Sequence, residues 1–476
     1  MPIKKVIAPQ IDFSELRREL HLPDEFPAAV LAEAEAAARA ARPAGADLTD
    51  VPFVTIDPAT SRDLDQAMHL SRREAGGYRV RYAIADVATF VPPGGTVAAE
   101  SWVRGQTIYL PDGRVPLHPP VLSEDSVSLL PDVERAAVVW TIDLDADGET
   151  VGVTLERARI RSRAKLDYVS VQQEIDTGTA AEPYALLPEI GTLLAKRASA
   201  RGAVNLPLPS QELERDGDGW TLVLRAPLAA EEHNAQISLL TGMAGASIML
   251  DGGIGLLRTM PAPKPEAVAK LRAAAAPLGI PWPDGTSVGG VIAAVDPGTP
   301  RGAASLNQAA DLLRGAGYTA FGVPDQQERP AEAGHGGVGA PYAHVTAPLR
   351  RLADRYATEV CLALHEGRDV PDWAREALPQ LPKAMSSTDR IASAADRGAI
   401  DLAEAVLLEH RVGETFEAAV LDRDEAGAKR PASAMIAIDE PAVRARCTGD
   451  LPLGRRVPVR LVTADRATRT VRFEQA

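Results

Sequence analysis

Asp57, Asp63 and Asp65 fall within nine residues of one another in the segment TIDPATSRDLDQA. Three carboxylates this close repel one another, and only Arg62 offers local compensation, so a cation among them is expected. Hard divalent ions take oxygen ligands, and acids from a strand end plus the following loop can converge on one or two of them. A calcium loop of the EF-hand type needs a central glycine and a glutamate at its twelfth position, and neither is present. An aspartyl-phosphate enzyme places its paired aspartates directly after the strand, whereas Asp63 and Asp65 lie six and eight residues beyond Asp57. A solvated acidic loop stays open as a reading, since Pro58, Ala59, Thr60 and Ser61 suit one.

Two groups of cations could serve an anionic substrate. Arg157, Arg159, Arg161, Arg163 and Lys165 recur at every second position of ERARIRSRAKLDY, so an extended strand puts all five on one face. Such a row is unfavourable unless acids or phosphates lie opposite it, and an edge strand defended against aggregation would read the same way. Further on, YAHVTAPLRRLADRYATEVCLALH predicts a helix capped by Thr346, with Pro348 in its first turn. Its buried stripe would be Leu349, Leu352, Ala353, Tyr356, Val360 and Leu364. Arg350 and Arg351 then occupy the first turn, where the helix dipole disfavours a cation by ~0.3–1 kcal/mol unless an anion shares that end. Asp354, one turn on, could position either arginine or simply pair with it.

The elements that must position these groups follow from the pattern. Residues 13–42 read as two helices broken near Pro23, a docking cap rather than a nucleic-acid contact, since the second has no basic face. From Val51 the pattern turns to strands, VPFVTID, YRVRYAIADV and VVWTIDLD. Helices are expected over 189–200, 234–250, 266–276, 307–314 and 349–365, with a long Gly- and Pro-rich loop over 323–341 that is expected to be functional. After His410 the stretches FEAAVLD, SAMIAID, RRVPVRLVTAD and TRTVRFEQ suggest a small OB-like β-barrel. The fold class is α+β: a helical segment over 1–50, a mixed α/β domain over 51–405 and the barrel over 406–476.

Composition narrows the function. The chain has 476 residues, 45% hydrophobic and 24% charged, which fits a soluble globular protein of more than one domain. No stretch approaches the ~18 uninterrupted apolar residues of a membrane span. The start, MPIKKVIAPQIDFSELRREL, lacks the apolar run and cleavage site of a secretory leader. With only Cys361 and Cys447, neither a disulfide framework nor a thiolate zinc site is expected, and a cytoplasmic address is. A net charge of −14 argues against non-specific coating of nucleic acid, though basic residues concentrated in a channel could still bind it.

In this order, TIDPATSRDLDQA, YAIADVATFV, RGQTIYLPDGRVPLHPPVLSEDSVSLLP, RARIRSRAKLDY and HVTAPLRRLADR resemble the ribonuclease II, or RNB, family from about Val51 to His365. The resemblance implies a mixed α/β catalytic domain whose narrow channel admits single-stranded RNA. It implies processive release of nucleoside 5′-monophosphates from the 3′ end, with two Mg²⁺ or Mn²⁺ ions held by Asp57, Asp63 and Asp65. The family usually has a fourth aspartate where this chain has Gln66, an uncharged oxygen ligand that would weaken one of the two metal positions. Arg350 matches the arginine on the scissile phosphate, with Arg351 beside it. Tyr168 and Glu231 would lie near the 3′-terminal nucleotides and help tell RNA from DNA. Tyr109 would stack near the 5′ end of the bound strand. Leu206 stands where an aromatic would clamp the 3′ base, a contact worth ~1–3 kcal/mol. Arg159, Arg161 and Arg163, with the rest of their row, would guide the strand.

Two departures flank this core. Residues 1–50 are too short and too helical for the tandem cold-shock barrels that normally precede it, and the C-terminal segment, with Arg455, Arg456 and Arg460, would be the remnant of the RNA-binding module. No protein partner is required, and a monomer is expected. The rival readings are an RNA-binding protein that has lost hydrolysis through Gln66, and a DNA nuclease.

Overall fold

The computed structural model describes residues 11–40, 43–206, 210–217, 219–324, 327–424, 426 and 431–476. The expected end of the second helix at Arg42, part of RGAVNLPLP and two positions of the 323–341 loop lie outside the described residues.

Strands β1 (Ala46–Asp47), β2 (Phe53–Ile56), β3 (Gln66–Arg72) and β4 (Tyr78–Ala85) come first. A small hairpin follows, β5 (Ile108–Leu110) and β6 (Gly113–Val115), and then β7 (Glu134–Leu144) and β8 (Thr150–Leu166). The main sheet runs β1-β8-β2-β3-β4-β7, and β8 also pairs with β7, so the sheet curls back on itself. All four residues of β2 are buried, which suits an apolar run covered on both faces. The sheet interior is filled by Trp140, Tyr82, Leu70 and Ile84. β8 alternates as its sequence demands, with Ala158, Ile160 and Ser162 inward and the cations on the other face.

Two helices carry the site's back wall, Ala229–Gly252 and Leu352–His365. The first approaches the segment 342–346 so closely that a Cβ on Gly242 would lie 2.1 Å from the Tyr342 ring and 2.6 Å from the Ala343 carbonyl oxygen. Glycine there lets Ala343 N–H donate to the Gly242 carbonyl at 3.1 Å.

Two helix assignments from the sequence need correction. The helix predicted to start at Thr346 begins at Leu352, and Arg351, its N-cap, is extended at φ −134°, ψ 125°. The segment 346–350 closes only one turn, Arg350 and Arg351 N–H donating to the Ala347 carbonyl, and is otherwise held by long-range hydrogen bonds, which no local pattern reveals. The helix predicted at 307–314 is Pro300–Ala309, because the Thr299 side chain caps it by accepting from Gly302 N–H and Pro300 suits its first position.

A helix the pattern did not single out, Leu381–Leu408, runs across the expected boundary at 405. Its Ala395, Ala399 and Ala403 share one apolar cluster with Ile108 and Val115 of the β5–β6 hairpin and with Phe416, Ile436 and Phe473. Those last three belong to a closed barrel of Thr415–Asp424, Ser433–Ile438, Val443–Thr448, Arg456–Asp465 and Thr470–Gln475, one strand more than the sequence suggested. Among the described residues no helix is long and apolar enough to cross a membrane.

Glu404 lies between the long helix and the barrel, buried, accepting from Gln211 Nε2 at 2.7 Å and Arg444 N–H at 2.9 Å. Burial pushes its carboxyl up to about 7 from an ordinary 4.5. A group whose folded pKa is raised binds its proton more tightly in the native state, so its contribution is favourable below the unfolded value and is lost as pH climbs to the folded one. Glu404→Gln keeps the acceptor and removes the charge. It is expected to stabilise the chain by roughly 2–3 kcal/mol at pH 8 and by almost nothing at pH 4, read by urea unfolding at both pH values.

Candidate active site

Asp57 follows β2 directly, its N–H donating to the Leu166 carbonyl of β8 at 3.1 Å. The loop that links it to β3 is pinned from outside: Ser128 Oγ donates to the Arg62 carbonyl at 2.6 Å and accepts from Leu64 N–H at 3.0 Å. Leu64 itself is fully buried. A short acidic loop is thereby fixed with Asp65 turned toward the segment 346–351.

The three aspartates end in different surroundings. Asp65 is buried; its Oδ1 accepts from Leu349 N–H at 2.7 Å and its Oδ2 lies 3.4 Å from Arg350 Nε. Burial pushes its carboxyl up to about 8, against the opposing pull of Arg350 and of the Leu349 N–H. Burial likewise raises Asp57 to about 7, again opposed by Arg350, while Asp63 adds to the rise. Asp57 Oδ2 is buried with no hydrogen-bond partner. Asp63 is committed elsewhere, Oδ1 accepting from Arg114 Nη1 at 2.7 Å and Oδ2 from the Tyr109 hydroxyl at 3.0 Å. Arg114 continues to Glu124 at 2.7 Å.

Gln66 is turned away from this acidic centre. Its Nε2 donates to the Thr346 carbonyl at 2.5 Å and its Oε1 accepts from the Tyr82 hydroxyl at 3.2 Å. Among the described residues no group of three or more acids, histidines or cysteines is arranged to hold a metal. The unpartnered oxygen of Asp57 and the raised carboxyls of Asp57 and Asp65 nevertheless fit one hard cation, which would offset the repulsion and the desolvation together. Gln66, read from the sequence as a metal ligand, has its amide turned to Thr346 and Tyr82, and its oxygen already accepts one hydrogen bond.

The two arginines part company. Arg350 keeps 45% of its side chain exposed beside Asp65, while its carbonyl accepts from Thr107 N–H. Arg351 makes a two-pronged ion pair with the fully buried Asp354, at 2.9 and 2.7 Å, and is correspondingly not directed at a ligand. Of the pairing alternatives that the sequence left open for Asp354, the structure takes Arg351.

Tyr168, Asn234 and Glu231 gather behind Asp57. The Tyr168 hydroxyl accepts from Asn234 Nδ2 at 3.0 Å, and burial pushes its phenol up to about 12, with the Asp57 charge adding to the rise. Glu231, in the first turn of its helix, is ion-paired with Arg225 and accepts from Leu228 N–H at 3.3 Å. Tyr109 is half exposed, and its bond to Asp63 sets it beside the acidic loop. Leu206 packs in a separate small cluster with Val204, Leu271 and Ile292.

The cation row on β8 faces acids. Arg157 pairs with Asp86 and Glu359, Arg159 with Asp47 and Glu134, and Arg161 with Glu134. Arg163 donates to the Thr49 carbonyl, and only Lys165 reaches the acidic loop, at the Ala59 carbonyl. The barrel's Arg456 and Arg460 pair with Asp439 and Glu474. A groove of about 730 Å³ not foreseen from the sequence is lined by Arg258, Tyr318, Arg390, Arg397 and Gln106, whose backbone bridges to Arg351. Arg114, Ser128 and Asn234 were missed as well, although Arg114 and Ser128 both lie within RGQTIYLPDGRVPLHPPVLSEDSVSLLP.

Two family profiles match the chain: an RNB domain over residues 46–364, and an RNase II-type exonuclease C-terminal S1 domain over 414–476. The exosome complex exonuclease RRP44 homolog A of Arabidopsis thaliana is 28% identical over 397 residues, 79% of this chain and 41% of that protein. The chain spans about half the length of the curated relatives it matches. The structure of Mycoplasma genitalium RNase R with ribose-methylated single-stranded RNA superposes with a TM-score of 0.83 at 20% identity, covering 97% of this chain and 77% of that one. Yeast Ssd1, described as a pseudonuclease, superposes at 0.68 with 18% identity, covering 87% of this chain and 52% of that one.

Proposed function

This chain belongs to the RNB family, and from that premise we propose that it is a 3′-to-5′ exoribonuclease, degrading single-stranded RNA processively to nucleoside 5′-monophosphates. We place it in the cytoplasm as a monomer. One observation carries the reading: the buried Asp65 and the part-buried Asp57, the latter with an unpartnered buried oxygen, share the influence of one half-exposed arginine, Arg350.

Asp57 and Asp65 would hold Mg²⁺ or Mn²⁺, which when bound supplies Lewis-acid polarisation of the phosphate and a more acidic water. Arg350 offers its guanidinium fork to the non-bridging oxygens of the last phosphodiester, where charge grows as the bond breaks. Asp63, held by Arg114 and Tyr109, fixes the loop between the other two acids. The Tyr168 hydroxyl, which accepts from Asn234, would meet the ribose 2′-hydroxyl, the handle by which RNA differs from DNA. The groove, where Arg258 is paired with Asp389 at 3.0 Å and Arg390 and Arg397 add two further cations, would give a phosphodiester chain a net basic approach in an otherwise acidic protein.

The test is digestion of a 5′-labelled single-stranded oligoribonucleotide with Mg²⁺, Mn²⁺ or EDTA. The expected result is a ladder shortening from the 3′ end with nucleoside 5′-monophosphate released, abolished by EDTA and by deoxyriboses at the 3′ end. RNA that is bound but left intact in both metals would replace this reading with the second one, an RNA-binding protein with a disabled centre. Gln66, which adds no charge to the site, favours that alternative. Equal cutting of the deoxy-ended strand would point to a DNA nuclease.

A further inference from the structure

We infer that Gln66 is a positioning residue, whose amide fastens the backbone carrying Arg350 in register with Asp65 and takes no part in holding a cation. The role of Arg350 here rests on the exoribonuclease reading above.

The geometry of the amide is decisive. A backbone carbonyl can only accept, so the end of Gln66 facing Thr346, 2.5 Å away, must be its NH₂ group. Its oxygen then faces the Tyr82 hydroxyl, whose ring is fully buried between β3 and its neighbours and cannot turn away. Both ends are therefore oriented by partners within the protein. A carboxylate at this position could accept from Tyr82 but would oppose the Thr346 carbonyl with a second acceptor.

What the amide fastens is the start of the arginine segment. Thr346 is anchored twice, by Gln66 at its carbonyl and by Ser238 at its hydroxyl, 3.0 Å away. Three residues on, Leu349 N–H is gripped by Asp65 Oδ1 at 2.7 Å, and Arg350 follows at 3.4 Å from Oδ2. Adjacent residues of one strand start thus hold the two ends of a short stretch whose own backbone closes a single turn, Arg350 and Arg351 N–H both donating to the Ala347 carbonyl. With the Gln66 bond removed, the Thr346 carbonyl is released and that end is left to the hydroxyl contact with Ser238 and the Ala347 N–H bond to Asp354, so the guanidinium is held less firmly at its distance from the carboxylates.

The full chain would be compared with Gln66→Met, which keeps length but no polar atoms, and with Tyr82→Phe, which removes only the contact at Oε1. Amide hydrogen exchange over residues 346–350 is expected to quicken about tenfold in Gln66→Met, and less in Tyr82→Phe. Mn²⁺ affinity of the RNA-free chain, followed by the paramagnetic resonance of free Mn²⁺, is expected to stay within about twofold. On single-stranded RNA, Gln66→Met should lower kcat by about tenfold or more when Arg350 is present, and by less than about threefold in an Arg350→Ala background. A tenfold loss of Mn²⁺ affinity with unchanged exchange would make Gln66 a ligand and overturn the proposal. Losses that multiply fully in the double variant would also overturn it. A wild type that cuts no RNA would sink the exoribonuclease reading instead, and the exchange and Mn²⁺ measurements would still decide this one.

Discussion

Asp65→Asn is expected to lower kcat by about a thousandfold while leaving the Tm of the metal-free chain unchanged or higher. Asparagine can keep its oxygen on Leu349 N–H, so the backbone link to the arginine segment survives. Its NH₂ group then stands where Oδ2 now lies, 3.4 Å from Arg350 Nε, setting donor against donor and removing one of the two charges available to a cation. Stability should move the other way. Burial pushes the Asp65 carboxyl up to about 8, so the ionised form is disfavoured in the fold, and a neutral amide of the same shape escapes that cost. The measurement is single-turnover cleavage of a labelled oligoribonucleotide alongside thermal unfolding in EDTA. More than a tenth of wild-type activity would remove Asp65 from the centre, and a sharply lowered Tm would reassign the loss to the fold.

The sequence disclosed the acids and concealed what holds them. Asp57, Asp63 and Asp65 stood out because like charges at short spacing need an explanation, and the structure sets Asp65 beside Arg350 while Arg114 and Tyr109 take up Asp63. Their partners could not be read, because Ser128, Arg114, Tyr109 and Leu349 meet the loop from 46 to 284 positions away. The barrel was legible because turn residues separate its strands at regular spacing, although Val443–Thr448 went unnoticed between them. The start of the arginine helix was misplaced for a clear reason. Thr346 and Pro348 are good local start signals, and one turn does close onto the Ala347 carbonyl, but Gln66 takes the Thr346 carbonyl and Gly105 takes the Leu352 N–H that a continuous helix would have used. The β8 cations showed their periodicity faithfully. The acids opposite them, Asp47, Asp86, Glu134 and Glu359, lie on other elements and are invisible to a local reading.

Neighbouring arginines should fail in opposite ways. Arg350→Ala is expected to lower kcat by about 10²- to 10³-fold with little change in Tm, because its side chain is half exposed and ends at the carboxylates. It is also the leading favourable charge acting on both Asp57 and Asp65, so its removal makes the acidic pair harder to ionise as well as leaving the phosphate unclamped. Arg350→Lys keeps the charge but not the planar fork, and should recover only part of the loss. Arg351→Ala strands the fully buried Asp354, which would keep only Ala347 N–H as a donor, and breaking a buried pair from one side costs roughly 3–5 kcal/mol. That variant should unfold early while the folded fraction still binds RNA. If Arg350→Ala instead destabilises the chain and Arg351→Ala selectively slows cleavage, the second arginine is the one that meets the phosphate, and the site must be rebuilt around the groove beside Tyr318 and Gln106.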